Sequence, residues 1–342
     1  MKKLIIIILI FMVASINLFA TGEISGTTAG EYIKVGGAGA QFLKIGVGAR
    51  ANGMGGAYSS LGGDMESVYW NPAGIADIKT YGASFAYTQC FGGFQHNYTG
   101  VSAPLSERFT VGINFTSFTS DDMMYTTLEY DKGTGSFFRE SDYAIGILFG
   151  GYLTDQFSFG VNAKFIQSGI ASMQSSGLAA DIGTMYESGI YGIKLGFAIL
   201  NLGTQQEYRG QNLKTSKKLY EAINANPVDA EYIASDFSIP LIFRAGFSGD
   251  LYNEGDYHCI GAFDFAAFSD IAEQYTLGTE FAWKNILAAR IGYRLGSDQL
   301  RLSLGAGIKY NSGGVSGMFD YAYMPSVSLG AIHRISVSIG GK

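Results

Sequence analysis

Residues 300–310 read LRLSLGAGIKY, and apolar side chains alternate along this stretch with polar or very small ones. The residues of the apolar face are Leu300, Leu302, Leu304, Ala306, Ile308 and Tyr310. Those of the opposite face are Arg301, Ser303, Gly305, Gly307 and Lys309. A period of two is typical of a β-strand with one apolar face. Residues 157–165 and 191–199 alternate in the same way, so the pattern predicts a sheet built from segments of about ten residues.

The composition of the 342-residue chain agrees with a mostly β structure. Glycine is abundant, with 48 residues, proline is scarce, with 5, and 14% of the residues are aromatic. This composition favours many short strands joined by tight turns. After the first twenty residues, no run approaches the roughly 18 consecutive apolar residues that a transmembrane helix needs. The formal net charge of -6, without a cluster of Lys and Arg, argues against a nucleic-acid partner.

The alternating segments predict fourteen antiparallel strands. Their ranges are 80–89, 94–104, 108–119, 142–153, 156–168, 177–188, 191–202, 238–250, 256–268, 271–284, 286–296, 299–311, 314–324 and 328–340. An even number of antiparallel strands can close into a barrel, which leaves no exposed sheet edge. We therefore expect an all-β fold, a transmembrane antiparallel β-barrel of about 14 strands, over residues 80–342.

Alternation alone fits either a soluble sandwich, whose apolar faces form a core, or a membrane barrel, whose apolar faces meet lipid. Three features favour the barrel. The polar faces carry as much Gly, Ser and Ala as charge, and aromatic residues such as Tyr143, Trp283 and Tyr323 gather at segment ends. Both long connections, 120–141 and 203–237, follow odd-numbered strands, so they would lie at the same end of a barrel. Bacterial barrels keep long loops at the outer end and short turns at the periplasmic end. We therefore expect a protein of the outer membrane of a diderm bacterium, with outer-membrane lipid as its first partner.

Thirteen charged residues of the alternating segments fall on the polar faces, so we expect these charges to line the lumen. They are Lys164, Asp181, Glu187, Lys194, Arg244, Asp264, Glu280, Arg290, Arg294, Arg301, Lys309, Asp320 and Arg334.

The first twenty residues have the features of a secretory signal peptide. Lys2 and Lys3 precede an apolar run from Leu4 to Val13, and cleavage is expected after Ala20. The alternative is a membrane-anchoring helix, for which the apolar run is short. In the barrel topology, Cys90 and Cys259 lie near opposite ends, too far apart for a disulfide, so we expect two free thiols.

Residues 21–79 do not alternate, and we expect them to form a plug inside the barrel. They contain the elements Gly-Ala-Arg, Met-Gly-Gly-Ala-Tyr and Trp-Asn-Pro-Ala-Gly, in this order. A structural role in seating the plug is expected for these elements, and a gating or substrate-binding role is the alternative. The motif residues are Gly48, Arg50, Met54, Gly55, Gly56, Trp70, Asn71, Pro72, Ala73 and Gly74.

Local rules predict a short helix within this segment. Asp64 is the expected N-cap of a helix over residues 65–69, and Pro72 should end it. Ala73 and Gly74 are then expected to make a tight turn into the first strand. Arg50 should pair with a lumen carboxylate, for which the candidates are Asp181, Glu280 and Asp320.

These three elements, ahead of a β-rich remainder, closely resemble the PorV/PorQ family of outer-membrane proteins. The Asn-Pro-Ala-Gly element more distantly resembles the FadL-type transporters of hydrophobic compounds. The resemblance implies a fourteen-stranded, FadL-like barrel whose N-terminal residues fold into the lumen. It implies partners among secreted proteins or components of the type IX secretion system, or surface attachment machinery.

No catalytic signature accompanies this pattern, so we expect a protein without enzymatic activity and without a cofactor. His96, His258 and His333 lie far apart in the predicted topology and lack metal-ligand spacing. Three functions stay open: cargo binding in protein secretion or surface attachment, as in PorV/PorQ proteins; FadL-like transport of hydrophobic small molecules; and a structural barrel or porin with no specific cargo. A sealed lumen packed with charge would favour the first, and an apolar cavity leading to a gap in the wall would favour the second.

Overall fold

A computed structural model describes residues 37–218 and 226–341 of the chain. The predicted signal peptide, residues 1–20, and the first part of the predicted plug, residues 21–36, lie outside the described residues.

All fourteen predicted strands are confirmed. They are β1 Gly82–Gln89, β2 Gln95–Pro104, β3 Phe109–Thr119, β4 Glu140–Tyr152, β5 Phe157–Ile170, β6 Met173–Glu187, β7 Lys194–Gly203, β8 Ile242–Glu254, β9 Tyr257–Phe268, β10 Gln274–Trp283, β11 Leu287–Leu295, β12 Leu302–Ser312, β13 Val315–Pro325 and β14 Ala331–Gly341.

The strands form one closed antiparallel ring. Each strand pairs with its neighbours in sequence, and β1 pairs with β14 along its whole length, from Gly82 opposite Gly340 to Gln89 opposite His333. The ring therefore has no free edge, which satisfies the backbone hydrogen bonds of every barrel strand within the sheet.

The apolar faces of the strands point outward and the polar faces point inward. On β7, for example, the side chain of Phe197 is 49% exposed, whereas its neighbour Ala198 is 3% exposed. On β12, Leu304 is exposed and Ser303 is buried. A soluble sandwich would show the reverse, so the structure supports the barrel over the sandwich.

The two long connections leave the same end of the barrel. They are residues 120–139 after β3 and residues 204–241 after β7, and we call this the long-loop end. Connections after even-numbered strands are short, as in 105–108, 255–256 and 313–314, and we call their end the short-turn end. Two-residue strands, Met123–Met124 and Phe137–Phe138, pair within the first long connection, and Lys214–Lys217 pairs with Val228–Glu231 in the second.

Residues 37–79, which we call the N-terminal segment, pass through the lumen from one end to the other. At the long-loop end, the backbone N–H of Gly39 donates to the carbonyl of Ser238 at 2.9 Å. At the short-turn end, the hydroxyl of Thr110 donates to the carbonyl of Ile78 at 2.9 Å. The segment contains a 3₁₀ helix Gln41–Lys44, helix α1 Ala49–Gly53, helix α2 Ser67–Trp70 and a 3₁₀ helix Pro72–Asp77. Among the described residues, no helix is long and apolar enough to cross a membrane.

The local predictions for this segment are partly right. The carboxylate of Asp64 accepts a hydrogen bond from the backbone N–H of Ser67 at 2.7 Å, and the helix ends before Pro72 as predicted. The helix itself begins two residues later than predicted, at Ser67, so Glu66 rather than Asp64 occupies the N-cap position. The tight turn at Ala73 and Gly74 is wrong: both lie in the 3₁₀ helix that Pro72 begins. The side chain of Asn71 caps that helix by accepting from the N–H of Ala73 at 3.0 Å, which favours a helical turn after Pro72.

The prediction of two free thiols is confirmed, since Cys90 and Cys259 are both unbridged. Cys90 follows β1 at the long-loop end, and Cys259 lies on β9 near the short-turn end.

Replacing Phe197 with Arg is expected to lower the free energy of unfolding by about 2–4 kcal/mol, because a charge on the outer face of the wall would meet lipid. Leu105→Arg, at an exposed apolar residue of a short turn, is the matched control and should cost about 1 kcal/mol or less. Urea unfolding of the protein in lipid vesicles measures both. Equal losses at the two sites would contradict the outward placement in lipid.

Candidate functional site

An ion network in the middle of the lumen joins the N-terminal segment to the wall. Arg50 on α1 donates two hydrogen bonds to the carboxylate of Glu280 on β10, at 2.8 and 2.7 Å. Arg290 on β11 donates to the same carboxylate at 2.5 Å and to Asp320 on β13 at 2.6 Å. Asp64 lies 3.6 Å from the Arg50 guanidinium. Of the three candidates for pairing with Arg50, the structure brings Glu280 into contact.

The wall residues of this network are almost fully withdrawn from solvent. The side chains of Arg290 and Asp320 are 1% and 2% exposed, and that of Glu280 is 7% exposed. A buried charge is tolerated only when it is paired and hydrogen-bonded, and removal of one partner leaves the other uncompensated. Glu280 is shared by two guanidiniums, so its loss would affect both the segment and the wall.

A second carboxylate holds the turn of the segment at Tyr58 and Ser59. Asp264 on β9 accepts hydrogen bonds from the backbone N–H groups of Tyr58, at 3.2 Å, and Ser59, at 2.9 Å. It also accepts from the hydroxyl of Ser59. Asp264 is buried, so its hydrogen bonds come from the segment that crosses the lumen rather than from water.

Three further arginines of the wall bind neutral groups of the segment. The guanidinium of Arg244 on β8 lies over the ring of Trp70 at 4.7 Å, a cation–π contact. Arg294 on β11 donates two hydrogen bonds to the carbonyl of Gly55, at 3.0 and 2.5 Å. Arg334 on β14 donates to the carbonyl of Gly46. Guanidiniums from three strands therefore contact the segment at three separate points.

Gly55 contacts the wall at a point where neither the segment backbone nor the wall backbone has room for a side chain. Its φ of +72° lies in the left-handed region that favours glycine. On the wall, a Cβ at Gly292 would collide with the backbone nitrogen of Gly55. The two glycines therefore allow the segment backbone to touch the β11 backbone directly.

The Trp-Asn-Pro-Ala-Gly element is buried and ties the segment both to itself and to the wall. The indole N–H of Trp70 donates to the carbonyl of Val47 at 3.0 Å. The amide of Asn71 donates to the carbonyl of Ser59 at 2.7 Å and to that of Thr184 on β6 at 3.1 Å. Pro72 packs so closely against Gly160 on β5 that a Cβ there would collide with its carbonyl. These contacts join the element to two other parts of the segment, at Val47 and Ser59, and to two strands of the wall.

Ion pairs also hold the segment at both ends. At the long-loop end, Asp270 accepts from the ammonium of Lys44 and the amide of Gln41, each at 2.8 Å. Burial alone would raise the pKa of Asp270, but these hydrogen bonds outweigh burial and hold it below its usual value. At the short-turn end, Asp77 accepts from Tyr152 and lies 3.3 Å from the ammonium of Lys194. Sequence reasoning missed Asp270 and Asp77 because both lie outside the alternating segments.

The remaining predicted lumen charges lie in different surroundings. Lys164 on β5 pairs with Asp181 on β6 at 2.7 Å, and both are buried. Lys194 also approaches Glu187 at 3.6 Å. Arg301 precedes β12 and is exposed, and its side chain bonds to the carbonyl of Ser297. Lys309 lies toward the short-turn end of β12 and is exposed as well. The structure therefore does not bring Arg301 and Lys309 to the buried network.

The cavity beside Lys164, between the segment and the wall, has a volume of about 30 Å³. Leu43, Tyr69 and Tyr98 line it together with polar residues of the wall. This volume accommodates a water molecule and is far below the roughly 300 Å³ of a small-molecule pocket. At this level the segment and the wall fill the lumen.

The three histidines do not converge on one site. His96 is buried, His258 contacts Asp250 at 2.8 Å, and His333 contacts Tyr321 at 2.7 Å. Within residues 37–218 and 226–341, no group of three or more His, Cys, Asp or Glu side chains is arranged to hold a metal ion.

Several solved structures share this fold. The toluene transporter TodX from Pseudomonas putida matches with a TM-score of 0.58 at 12% identity, over 86% of this chain and 98% of its own. The toluene transporter TbuX from Ralstonia pickettii gives 0.53 at 11% identity, over 86% and 97%. A FadL homologue from Pseudomonas aeruginosa gives 0.50 at 11% identity, over 86% and 98%. At these identities the similarity shows a FadL-like fold. No family model matches the chain, and no curated protein matches it.

Replacing Glu280 with Gln is expected to destabilise the protein by about 3–5 kcal/mol, because two buried guanidiniums lose their shared carboxylate. Asp155→Asn is the matched control: Asp155 pairs with Arg108 at 3.3 Å, but its side chain is 94% exposed, so the change should cost about 1 kcal/mol or less. Urea unfolding in vesicles measures both. Similar losses for the two variants would mean that the network contributes no more than a surface pair.

Proposed function

We propose that this chain is an outer-membrane β-barrel that passes hydrophobic small molecules once its N-terminal segment has moved within the lumen. The observation that carries this proposal is a closed fourteen-stranded barrel, of the fold found in TodX and TbuX, whose interior holds its own N-terminal segment. On this proposal the segment is a plug, and the structure represents the closed state.

The outward apolar face supports a membrane location. Exposed Phe, Leu and Ile side chains cover the outer wall, whereas the charges of the barrel strands are mostly enclosed. Such a surface is stable in lipid, and a closed ring of strands meets the hydrogen-bonding requirement of the bilayer. The signal peptide expected at residues 1–20 would direct the chain to export, and the long-loop end would then face the cell exterior.

The segment is held in the lumen without being part of the barrel ladder. The segment adds no strand to the barrel ring: its sheet-like contact with the rest of the described chain is one isolated bridge, between Ala38 and Ser238. It is held instead largely by side-chain contacts, such as those of Arg50, Lys44 and Asp77, so its movement requires water to enter the lumen and take over these hydrogen bonds. Its movement would therefore leave the barrel ladder intact.

Binding of a protein partner in secretion or surface attachment, as in the PorV/PorQ family, is the second candidate function. Two observations favour it: the sequence elements that resemble this family, and a lumen filled by charged networks at the level where a passage would run. On this reading the segment is a permanent plug, and the long connections 120–139 and 204–241 would contact the partner. Both candidates describe a protein without enzymatic activity.

A disulfide between the segment and the wall should block transport. Ala49 and Ser336 are in contact, with 3.1 Å between the backbone nitrogen and Oγ, so Ala49→Cys with Ser336→Cys offers a cross-link. It is introduced together with Cys90→Ser and Cys259→Ser. In vesicles whose outer leaflet is lipopolysaccharide, which slows the entry of hydrophobic molecules, the oxidised protein should take up toluene at the rate of empty vesicles, and a reductant should restore uptake.

The cysteine-free protein under the same oxidant is the control for this experiment. Reduced protein that never exceeds empty vesicles would overturn the transport proposal. Uptake that continues in the cross-linked protein would overturn the gating role of the segment.

The second candidate predicts stable association with other proteins. Affinity purification of the tagged chain after gentle detergent extraction of its native outer membrane should recover secretion components, or cargo proteins that share one C-terminal domain, as identified by mass spectrometry. Recovery of the barrel alone, in an extract that still contains those proteins, would contradict this function.

A further inference from the structure

The outer surface of β5 and β6 changes from apolar to polar near the long-loop end. Phe165 and Leu178 form an outward-facing cross-strand pair, 41% and 61% exposed. The next outward pair toward that end is Gln167 with Ser176, and Gln174 on β6 follows. The hydroxyl of Tyr143 on β4 donates to Gln167 at 2.5 Å. A tyrosine with an apolar ring and a bonded hydroxyl is typical of a membrane–water interface, so the polar pairs lie just beyond the apolar band.

The second long connection extends this polar surface. Arg209 and Gly210 pair with Gln174 and Met173 of β6 as a short additional strand. Gln206, in the approach to this strand, is 2% exposed, whereas Gln205 and Arg209 are exposed. The outward side chains of the connection therefore stand beside those of β5 and β6.

A cleft of about 940 Å³ lies at this place. Its wall is rich in amides and hydroxyls, including Gln167, Gln174, Gln205, Gln211, Ser172 and Ser176. The volume falls within the usual range for a small-molecule site. Gln167 donates to the amide oxygen of Gln174 at 3.3 Å, which leaves the amide nitrogen of Gln174 available. In the described part of the chain, the side chains of Gln205 and Gln211 make no hydrogen bond.

The charges of the cleft largely cancel. Glu207 accepts from Arg209 at 3.0 Å, and Lys214 faces Glu231 across a two-stranded ladder. Asp236 adds one further negative charge. A phosphate-rich ligand would meet no excess of positive charge here. Amide and hydroxyl groups that donate and accept match the hydroxyl groups of a neutral sugar.

We propose that this cleft binds the neutral sugar residues of a glycolipid in the outer leaflet of the membrane. The glycolipid chains would lie against the apolar wall at Phe165 and Leu178, and the sugars would enter the cleft directly above. The proposal rests on the outer-membrane location given under the proposed function, but it is independent of transport and of segment movement.

The test uses the full-length protein in detergent micelles and a lipid-free probe. The probe is the core oligosaccharide released from a lipopolysaccharide by mild acid, then dephosphorylated and carboxyl-reduced so that it is neutral. Isothermal titration calorimetry should show saturable binding. Gln174→Ala and Gln205→Ala should each weaken binding about threefold to tenfold, because each removes hydrogen bonds to hydroxyls, and the double variant should weaken it further.

Gln156→Ala is the matched control, since Gln156 is an exposed amide at the short-turn end. It should leave the affinity unchanged. Absence of saturable binding, or equal affinity for wild type and both cleft variants, would overturn the proposal. Binding of intact lipopolysaccharide alone, unaffected by the cleft variants, would assign recognition to the acyl chains and would overturn it as well. Since the probe is lipid-free and no uptake is measured, these outcomes are separate from a failure of transport.

Discussion

The ladder between β1 and β14 is the interaction on which the rest of the structure depends. Until Gly82–Gln89 pairs with the last strand, two rows of backbone N–H and C=O groups are unpaired, and lipid offers them no partner. Closure removes both edges and creates an enclosed interior. Only then can the outer face be uniformly apolar while polar side chains of the same strands are kept away from lipid.

Closure also withdraws many ionisable side chains from water, which is unfavourable unless each charge is paired. In the barrel, buried charges share partners: Glu280 binds two guanidiniums, and Arg290 binds two carboxylates. Other charges bind the backbone of the segment, as Arg294 binds the carbonyl of Gly55. The N-terminal segment is therefore as much a set of hydrogen-bonding partners for the wall as a physical obstruction. Movement of the segment would require water to take over these contacts.

The sequence alone predicted the strands and the direction of their faces, since alternation reports both whenever one face meets an apolar environment. It predicted less about contacts. Arg50 could be assigned to three carboxylates, because pairing depends on how far the segment reaches into the barrel, and that distance has no periodic signal. Arg301 was placed in the lumen because alternation continues past the point where β12 begins. Asp270 and Asp77 lie in non-periodic stretches, so no pattern marked them as the partners of Lys44 and Lys194.

The N-terminal segment changes the number of times that the chain crosses the barrel from even to odd. Fourteen strands alone would leave both ends of the barrel sequence on one side, but the segment adds a fifteenth crossing before β1. Residue 37 therefore emerges at the long-loop end, whereas Gly341 lies at the short-turn end. The segment passes through the closed ring. It must therefore either lie in the lumen before β1 and β14 pair, or enter the lumen after they have paired.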